Sequence, residues 1–351
     1  MNTTEQGLDV LNAPGETEDY IVNMHVYNFF LVFNCIVCGE IIGILGIVGN
    51  ICNIWNFCKQ GLTDSITVTL TALSLSDLGG LVIQQGNNIL FCPYLTQIEL
   101  NFVPLDLASV FFFYPQGYFI RVSGLITAFA TFERCMSVTI PLRVKSVFTK
   151  RLAVSVNISI FLILLLYVFP ISFVVELAFV WIPETNRTMF TGLGRSNTDQ
   201  IMHVSYLITD LALPYFTFLA IVVCNVVITV TLKTKAKWRT SVSGVGKRDE
   251  HAWRLRMKER KTVVMLVTVS VIFIACLIPH SAMLTALSVF RGLKFGGPYF
   301  QIACVVYSFT FLMETINCSV SCIIYYKMST KYRVVAQQMF RFWKPKLKTL
   351  K

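Results

Sequence analysis

Charge is scarce in this chain. Charged residues are 14% of the 351 positions, against roughly 25% in soluble domains, so this composition cannot furnish a water-facing globular surface. The stretch before Phe29 has no Lys or Arg, only Glu5, Asp9, Glu16, Glu18 and Asp19. No cysteine lies between Trp181 and His203, and none follows Cys322, which removes a palmitoyl anchor from the tail. The four histidines offer no His-x-x-x-His spacing, so the usual zinc-binding helix of a membrane enzyme is excluded. Nor is there an internal repeat, which argues against a transporter built from two related halves. Short, strictly alternating runs are also missing, and with them a transmembrane barrel. No cleavable signal-peptide pattern is legible in the acidic stretch, so the first helix is expected to direct insertion.

What fills the chain is apolar: 55% of residues are hydrophobic. Seven runs are long enough to cross a hydrocarbon core of about 30 Å, which needs about 20 helical residues. They are Phe29–Phe57, Ile66–Phe91, Leu107–Val138, Leu152–Val180, Val204–Leu232, Thr262–Val289 and Tyr299–Tyr326. The expected fold is an all-α membrane protein, a seven-transmembrane helix bundle. Residues 1–28 read as an extracellular N-terminal tail, 29–326 as the membrane domain and 327–351 as a cytoplasmic tail.

Orientation follows from the basic residues. Most of the 30 lie at Lys59, at Arg143 to Arg151, between Lys233 and Lys261, and after Lys327. Those segments share one face, which is therefore cytoplasmic. The net charge of +11 is then a topology signal and a contact with anionic lipid, not a nucleic-acid surface. Sequons at Asn2 and Asn186 fall on the opposite side and are expected to carry glycans. The expected location is the plasma membrane, with the N-terminus outside.

Several motifs then fall in order. Gly49-Asn50 sits on the first helix, Leu73-Ser74-Leu75-Ser76-Asp77 on the second, and Glu133-Arg134-Cys135 with Pro141-Leu142 at the end of the third. Pro214 is on the fifth, Cys276-Leu277-Ile278-Pro279 on the sixth, and Ser321-Cys322-Ile323-Ile324-Tyr325 on the seventh. In order and spacing they resemble those of the rhodopsin-like (class A) G-protein-coupled receptors. Leu277 replaces the family's Trp, and Ser321 and Cys322 replace its Asn-Pro. The Glu-Arg-Cys form, the run Ile126-Thr127-Ala128-Phe129 and Tyr325-Tyr326-Lys327-Met328 are also similar to molluscan chemosensory and neuropeptide-like receptors.

The resemblance implies a receptor that takes an extracellular ligand and activates a heterotrimeric G protein. Glu133, Arg134, Pro141 and Leu142 would form the coupling face. Glu259 occupies the family's lock position at the base of helix six; it either pairs with Arg134 at rest or is solvated among its basic neighbours. Pro279 removes a helical hydrogen bond, and with Phe273 and Leu277 would make the helix-six hinge. Asn50, Asp77, Ser123, Asn317 and Ser321 gather polar groups around one carboxylate, suited to a sodium ion, to water or to each other. No other cofactor is implied. The family's usual disulfide from helix three is expected to be missing, because its position is Ser109.

Ligand contacts are expected in the outer half. Gln116 stands where amine receptors carry an aspartate, so an ammonium would find no balancing charge there. Tyr118, Phe311 and Leu277 would line the pocket with His280 and Glu314. The interior carries both signs of charge, favouring a peptide or a small charged molecule over a lipid. No lysine lies between Lys294 and Lys327, so a retinal Schiff base on helix seven is excluded. Arg121 and Asp210 are expected at similar depth on adjacent helices three and five, where a buried charge needs a partner. Asp210 either bridges to Arg121 or contacts the ligand, leaving Arg121 to Glu314. The rival class is a seven-helix transporter or channel, which would need paired broken helices or a polar ring. Enzymatic activity is not expected. Beyond the seventh run, Met328 to Trp343 interleaves Tyr332, Val335, Met339, Phe340 and Trp343 with basic residues, the pattern of a short amphipathic eighth helix on the inner leaflet.

Overall fold

The computed structural model describes residues 23–98, 100–168, 175–182, 186–194, 204–205, 207–242, 250–293 and 297–338. Seven long helices form the bundle: α1 (Met24–Gln60), α2 (Ser65–Leu90), α3 (Tyr114–Thr139), α4 (Lys150–Val168), α5 (Leu213–Val242), α6 (Glu250–Val289) and α7 (Phe300–Met328). A further helix, α8, covers 330–338. α3 is the hub, packed against α2, α4, α5 and α6, while α1 lies against α2 and α7. Asp77 and Glu314, the two acids deepest in sequence on α2 and α7, are both buried.

Local chemistry sets the boundaries. α1 ends where Gly61 takes a left-handed φ of 82°, a conformation costly for any side chain. Three residues later Asp64 caps α2, its carboxylate accepting from the Thr67 amide at 3.3 Å. α3 stops at Ile140, before Pro141 opens a short helix to Val147. Pro279 is accommodated inside α6.

Three helices carry wide π turns: Val32–Gly39 within α1, Ser109–Phe113 leading into α3, and Leu207–Ala212 leading into α5. All three lie toward the end opposite the basic loops. Such turns insert a surplus residue and disturb the backbone ladder.

The bundle differs from the sequence expectation in two ways. The fourth run does not continue as helix to Val180. Val175–Ile182 is a strand, β1, paired antiparallel with β2 (Arg187–Gly194), with Phe179 opposite Phe190. Pro170 interrupts that run, and the β-branched and aromatic residues beyond it suit an extended, half-buried surface. Asn186, at φ 52°, makes the turn into β2. The hairpin joins the first outer loop: the Phe190 amide donates to the Asn101 carbonyl at 2.8 Å, and the Val103 amide to the Phe190 carbonyl at 3.0 Å.

The second difference is apolarity. Among the described residues five helices are long and apolar enough to span a membrane on composition alone, and α3 and α4 are not among them. α3 is surrounded by other helices, so it can carry buried Gln116, Arg121, Ser123, Thr127, Thr131 and Glu133 without facing lipid. α4 opens with Lys150 and Arg151 and includes buried Asn157, whose amide donates to the Ala153 carbonyl and to Thr69.

At the other end α8 turns inward. Tyr332 and Ala336, one helical turn apart, are buried, while Lys331 and Val334 are exposed. The expected amphipathic helix is present over 330–338. However, its tyrosine packs on Phe57 and Tyr325 instead of meeting lipid. Met339, Phe340 and Trp343 lie outside the described residues.

Candidate functional site

In the half of the bundle nearer the hairpin, charges and amides converge from five helices. Arg121 on α3 and Asp210, in the π turn before α5, are 8% and 7% exposed and form a direct ion pair. The local backbone explains how the arginine is held. In π register the Thr209 carbonyl would accept from residue 214, but Pro214 has no N–H. Arg121 Nε donates to that carbonyl at 2.8 Å, and Nη1 to the Gly117 carbonyl at 2.6 Å. Thr209 Oγ1 donates to the second Asp210 oxygen at 2.8 Å. Of the two alternatives, Asp210 therefore takes Arg121, and Glu314 is left to other partners.

Those partners form a chain. Asn87 on α2 donates to Gln116 Oε1 at 3.3 Å, and Gln116 Nε2 donates to Glu314 Oε2 at 2.8 Å. Glu314 Oε1 stands 2.9 Å from His280 Nδ1 on α6. This overturns the argument from Gln116. The acidic group missing from α3 is supplied by α7, so the pocket floor does hold a carboxyl group. The signal was Glu314 itself, but sequence spacing alone did not reveal that its side chain reaches Gln116.

A cavity of about 30 Å³ lies beside these groups, lined by Arg121, Thr217, Phe273, Leu277, His280 and Ser281 among others. It has room for roughly two waters. Phe273 and Leu277 close its inner side against Phe218 and Ile221. Phe311 packs near His280 and against Phe91. Tyr118 does not line this cavity: its hydroxyl donates to the Phe161 carbonyl of α4 at 3.0 Å, and its ring belongs to a core with Val122, Ile126 and Leu164.

A second cavity, about 10 Å³, touches Asp77, Ser123, Asn317 and Ser321. Ser123 donates to Asp77 Oδ1 at 2.8 Å. One carboxylate, two hydroxyls and an amide around such a volume fit a single water or one small monovalent cation. Asn50, expected in this set, does not line the cavity but joins the set through Ser321, whose hydroxyl donates to Asn50 Oδ1 at 3.4 Å; its amide donates to the Cys318 carbonyl at 2.8 Å and the Gly46 carbonyl at 3.0 Å.

Near the basic loops, Arg134 Nη2 is 3.4 Å from Glu133 Oε1, while Ser65 donates to Glu133 Oε2 at 3.0 Å. Pro141 opens the short helix after α3. The Leu142 and Glu259 side chains, and Asn2, lie outside the described residues. Asn186 is exposed at the hairpin turn.

The description "7 transmembrane receptor (rhodopsin family)" matches residues 49–326, most of the chain. The chain belongs to that family. It is a multi-pass membrane receptor of the class A G-protein-coupled type, and such receptors take an extracellular ligand and a G-protein partner. A comparison with curated proteins finds no match.

Sequence reasoning missed a ladder that ties α1 of the receptor to α7 and α8. Asn53 donates to Ser321 Oγ at 3.2 Å, Asn56 to the Tyr332 carbonyl at 3.0 Å, and the Tyr332 hydroxyl to Asn53 Oδ1 at 2.7 Å. Burial holds the Tyr332 phenol well above its ordinary range, so it remains a donor. The three-residue spacing of Asn50, Asn53 and Asn56 was the available signal. Two more pairs were missed: Gln85 donates to Glu40 Oε2 at 2.7 Å, and Asn34 to Ser308 at 2.9 Å.

Proposed function

We propose that this receptor binds its ligand among Gln116, Arg121, Asp210, His280, Phe311 and Glu314, and couples to a heterotrimeric G protein by moving α6 about Pro279. The observation that carries the reading is the path from site to hinge. His280 faces Glu314 and follows Pro279 directly, while Phe273 and Leu277 form the wall between the cavity and the bundle core. A ligand that alters the His280–Glu314 contact acts within one residue of the place where α6 lacks a backbone donor.

In this reading the N-terminus and hairpin face outward, as the basic loops on the opposite face require, and Asn2 and Asn186 carry glycans. Movement of α6 exposes Arg134 to a helix of the G protein, with Leu142 as a neighbouring anchor. Glu259 holds Arg134 at rest. The Asp77 cavity takes a sodium ion or a water through Asp77, Ser123, Asn317 and Ser321, whose charge and hydroxyls would orient it. The ligand is a peptide or small charged molecule of chemosensory or neuropeptide type.

Nucleotide exchange on a purified G protein, with receptor in lipid nanodiscs, tests the reading. Exchange should depend on the receptor and be lost in Arg134→Ala at equal receptor amount. Wild-type exchange from Arg134→Ala would end it.

A further inference from the structure

The two buried acids of the outer half are not equally balanced. Asp210 is matched by Arg121, all three of whose nitrogens are engaged, on Asp210, Thr209 and Gly117. Glu314, 3% exposed, has no such cation: among the described residues its ion-pair neighbour is the His280 imidazole. The distance there is short, yet neither Glu314 Oε1 nor His280 Nδ1 completes a hydrogen bond. On the far flank of Gln116, the fully buried Asn87 Oδ1 also lacks a donor. Buried oxygens without donors are costly, and the cost is higher when one belongs to a carboxylate.

The surroundings are aromatic. The His280 ring lies 6.1 Å from Tyr307 and 6.3 Å from Phe311, Tyr307 stacks on Phe311 at 5.7 Å, and Phe91 meets Phe311 edge-on at 5.7 Å. A carboxylate beside aromatic rings, with spare acceptor oxygens, is complementary to a cation bearing several N–H donors. An anion would instead have to break the three Arg121 contacts.

We propose that Glu314 is the anchor for an organic ammonium group on the ligand, placed between Glu314, Asn87 and the Tyr307–Phe311 rings. Its arrival takes Glu314 from His280 and uncouples α6 from α7 beside Pro279. This names the ligand class of the site described above and rests on that receptor reading.

The test uses the full-length receptor in detergent and three probes of similar size: phenethylammonium, phenylacetate and phenethyl alcohol. Phenethylammonium should raise Tm, and the anion and the alcohol should not. The rise should disappear in Glu314→Gln and persist, weakened, in Glu314→Asp. A larger shift from phenylacetate or the alcohol, no shift from any probe, or an ammonium shift that survives Glu314→Gln would each overturn the assignment. The three-probe comparison on the wild-type protein stands even if a variant fails to fold. Arg134-dependent nucleotide exchange in the same preparation separates the two readings. Exchange without an ammonium shift leaves the receptor and removes the ligand class; an ammonium shift without exchange does the reverse.

Discussion

The α3–α5 contact and the α1–α7 contact solve the same problem with opposite chemistry. Both join neighbouring helices inside a bundle where unpaired polar groups are expensive. Between α3 and α5 the join is a charge pair, Arg121 with Asp210, reinforced by the Thr209 carbonyl left open by Pro214. Between α1 and α7 it is a set of neutral amides, Asn50 and Asn53, reaching the Cys318 carbonyl and Ser321. Gly46 lets the two helices close: a Cβ there would sit 2.0 Å from Ser319 Oγ. A charge pair loses everything when one member goes, because the survivor is stranded. An amide ladder loses one rung at a time.

The largest effect should therefore come from the charge pair. Arg121→Ala or Asp210→Ala alone should cost about 3–5 kcal/mol, seen as a collapse of surface expression and of Tm. The double variant should be milder than the sum of the two. Simple additivity in a double-mutant cycle would remove the distinction between the two contacts.

Next are the contacts that restrain α6. Glu259→Ala should raise basal second-messenger output several-fold, and His280→Ala should raise it less, with Arg134→Ala silent at normal surface level. Unchanged basal output in well-expressed Glu259→Ala would eliminate a resting lock. On the neutral side, Asn53→Ala or Tyr332→Phe should cost only about 1 kcal/mol each, a Tm drop of a few degrees with coupling retained. A collapse as deep as that of Arg121→Ala would show that the ladder is as brittle as the ion pair.

The smallest effect concerns thiols. All eleven cysteines are free, so a reducing agent should leave Tm unchanged and non-reduced peptide mapping should show no cross-link. A mapped disulfide at the hairpin end would mean that the outer mouth is held covalently instead.

Much of this was legible in the sequence. Long apolar runs located the helices because hydrocarbon requires an unbroken backbone ladder. Arg121 and Asp210 could be paired from depth alone, since α3 and α5 are neighbours and isolated charges are rare there. What was not legible depends on side-chain direction. Gln116 suggested a floor without charge because the chain order hides Glu314, which comes from 198 residues away. Tyr118 looked like lining, but its ring turns to α4. The fourth run read as helix through Val180 because apolar residues serve a strand and a membrane helix equally well; only the pairing with Arg187–Gly194 separates them. Asn53 and Asn56 went unread because their only signal, the three-residue spacing from Asn50, does not name the partners, Ser321 and Tyr332.

The wide turns in α1, before α3 and before α5 have a consequence for comparing this chain with its relatives. A surplus residue advances the helical phase by about 100°. Residues on the hairpin side of each turn therefore face a direction one position away from that given by regular α-helical counting from Asn50, Arg134 or Pro214. Asp106, whose carboxylate accepts from Thr191 of the hairpin, lies beyond such a turn. Where a helix without such a turn is laid against this one, pocket positions carried outward from the inner motifs shift by one residue at Val32–Gly39, Ser109–Phe113 and Leu207–Ala212. Without that shift, this receptor's outer rim would be compared with the wrong side chains of such a helix.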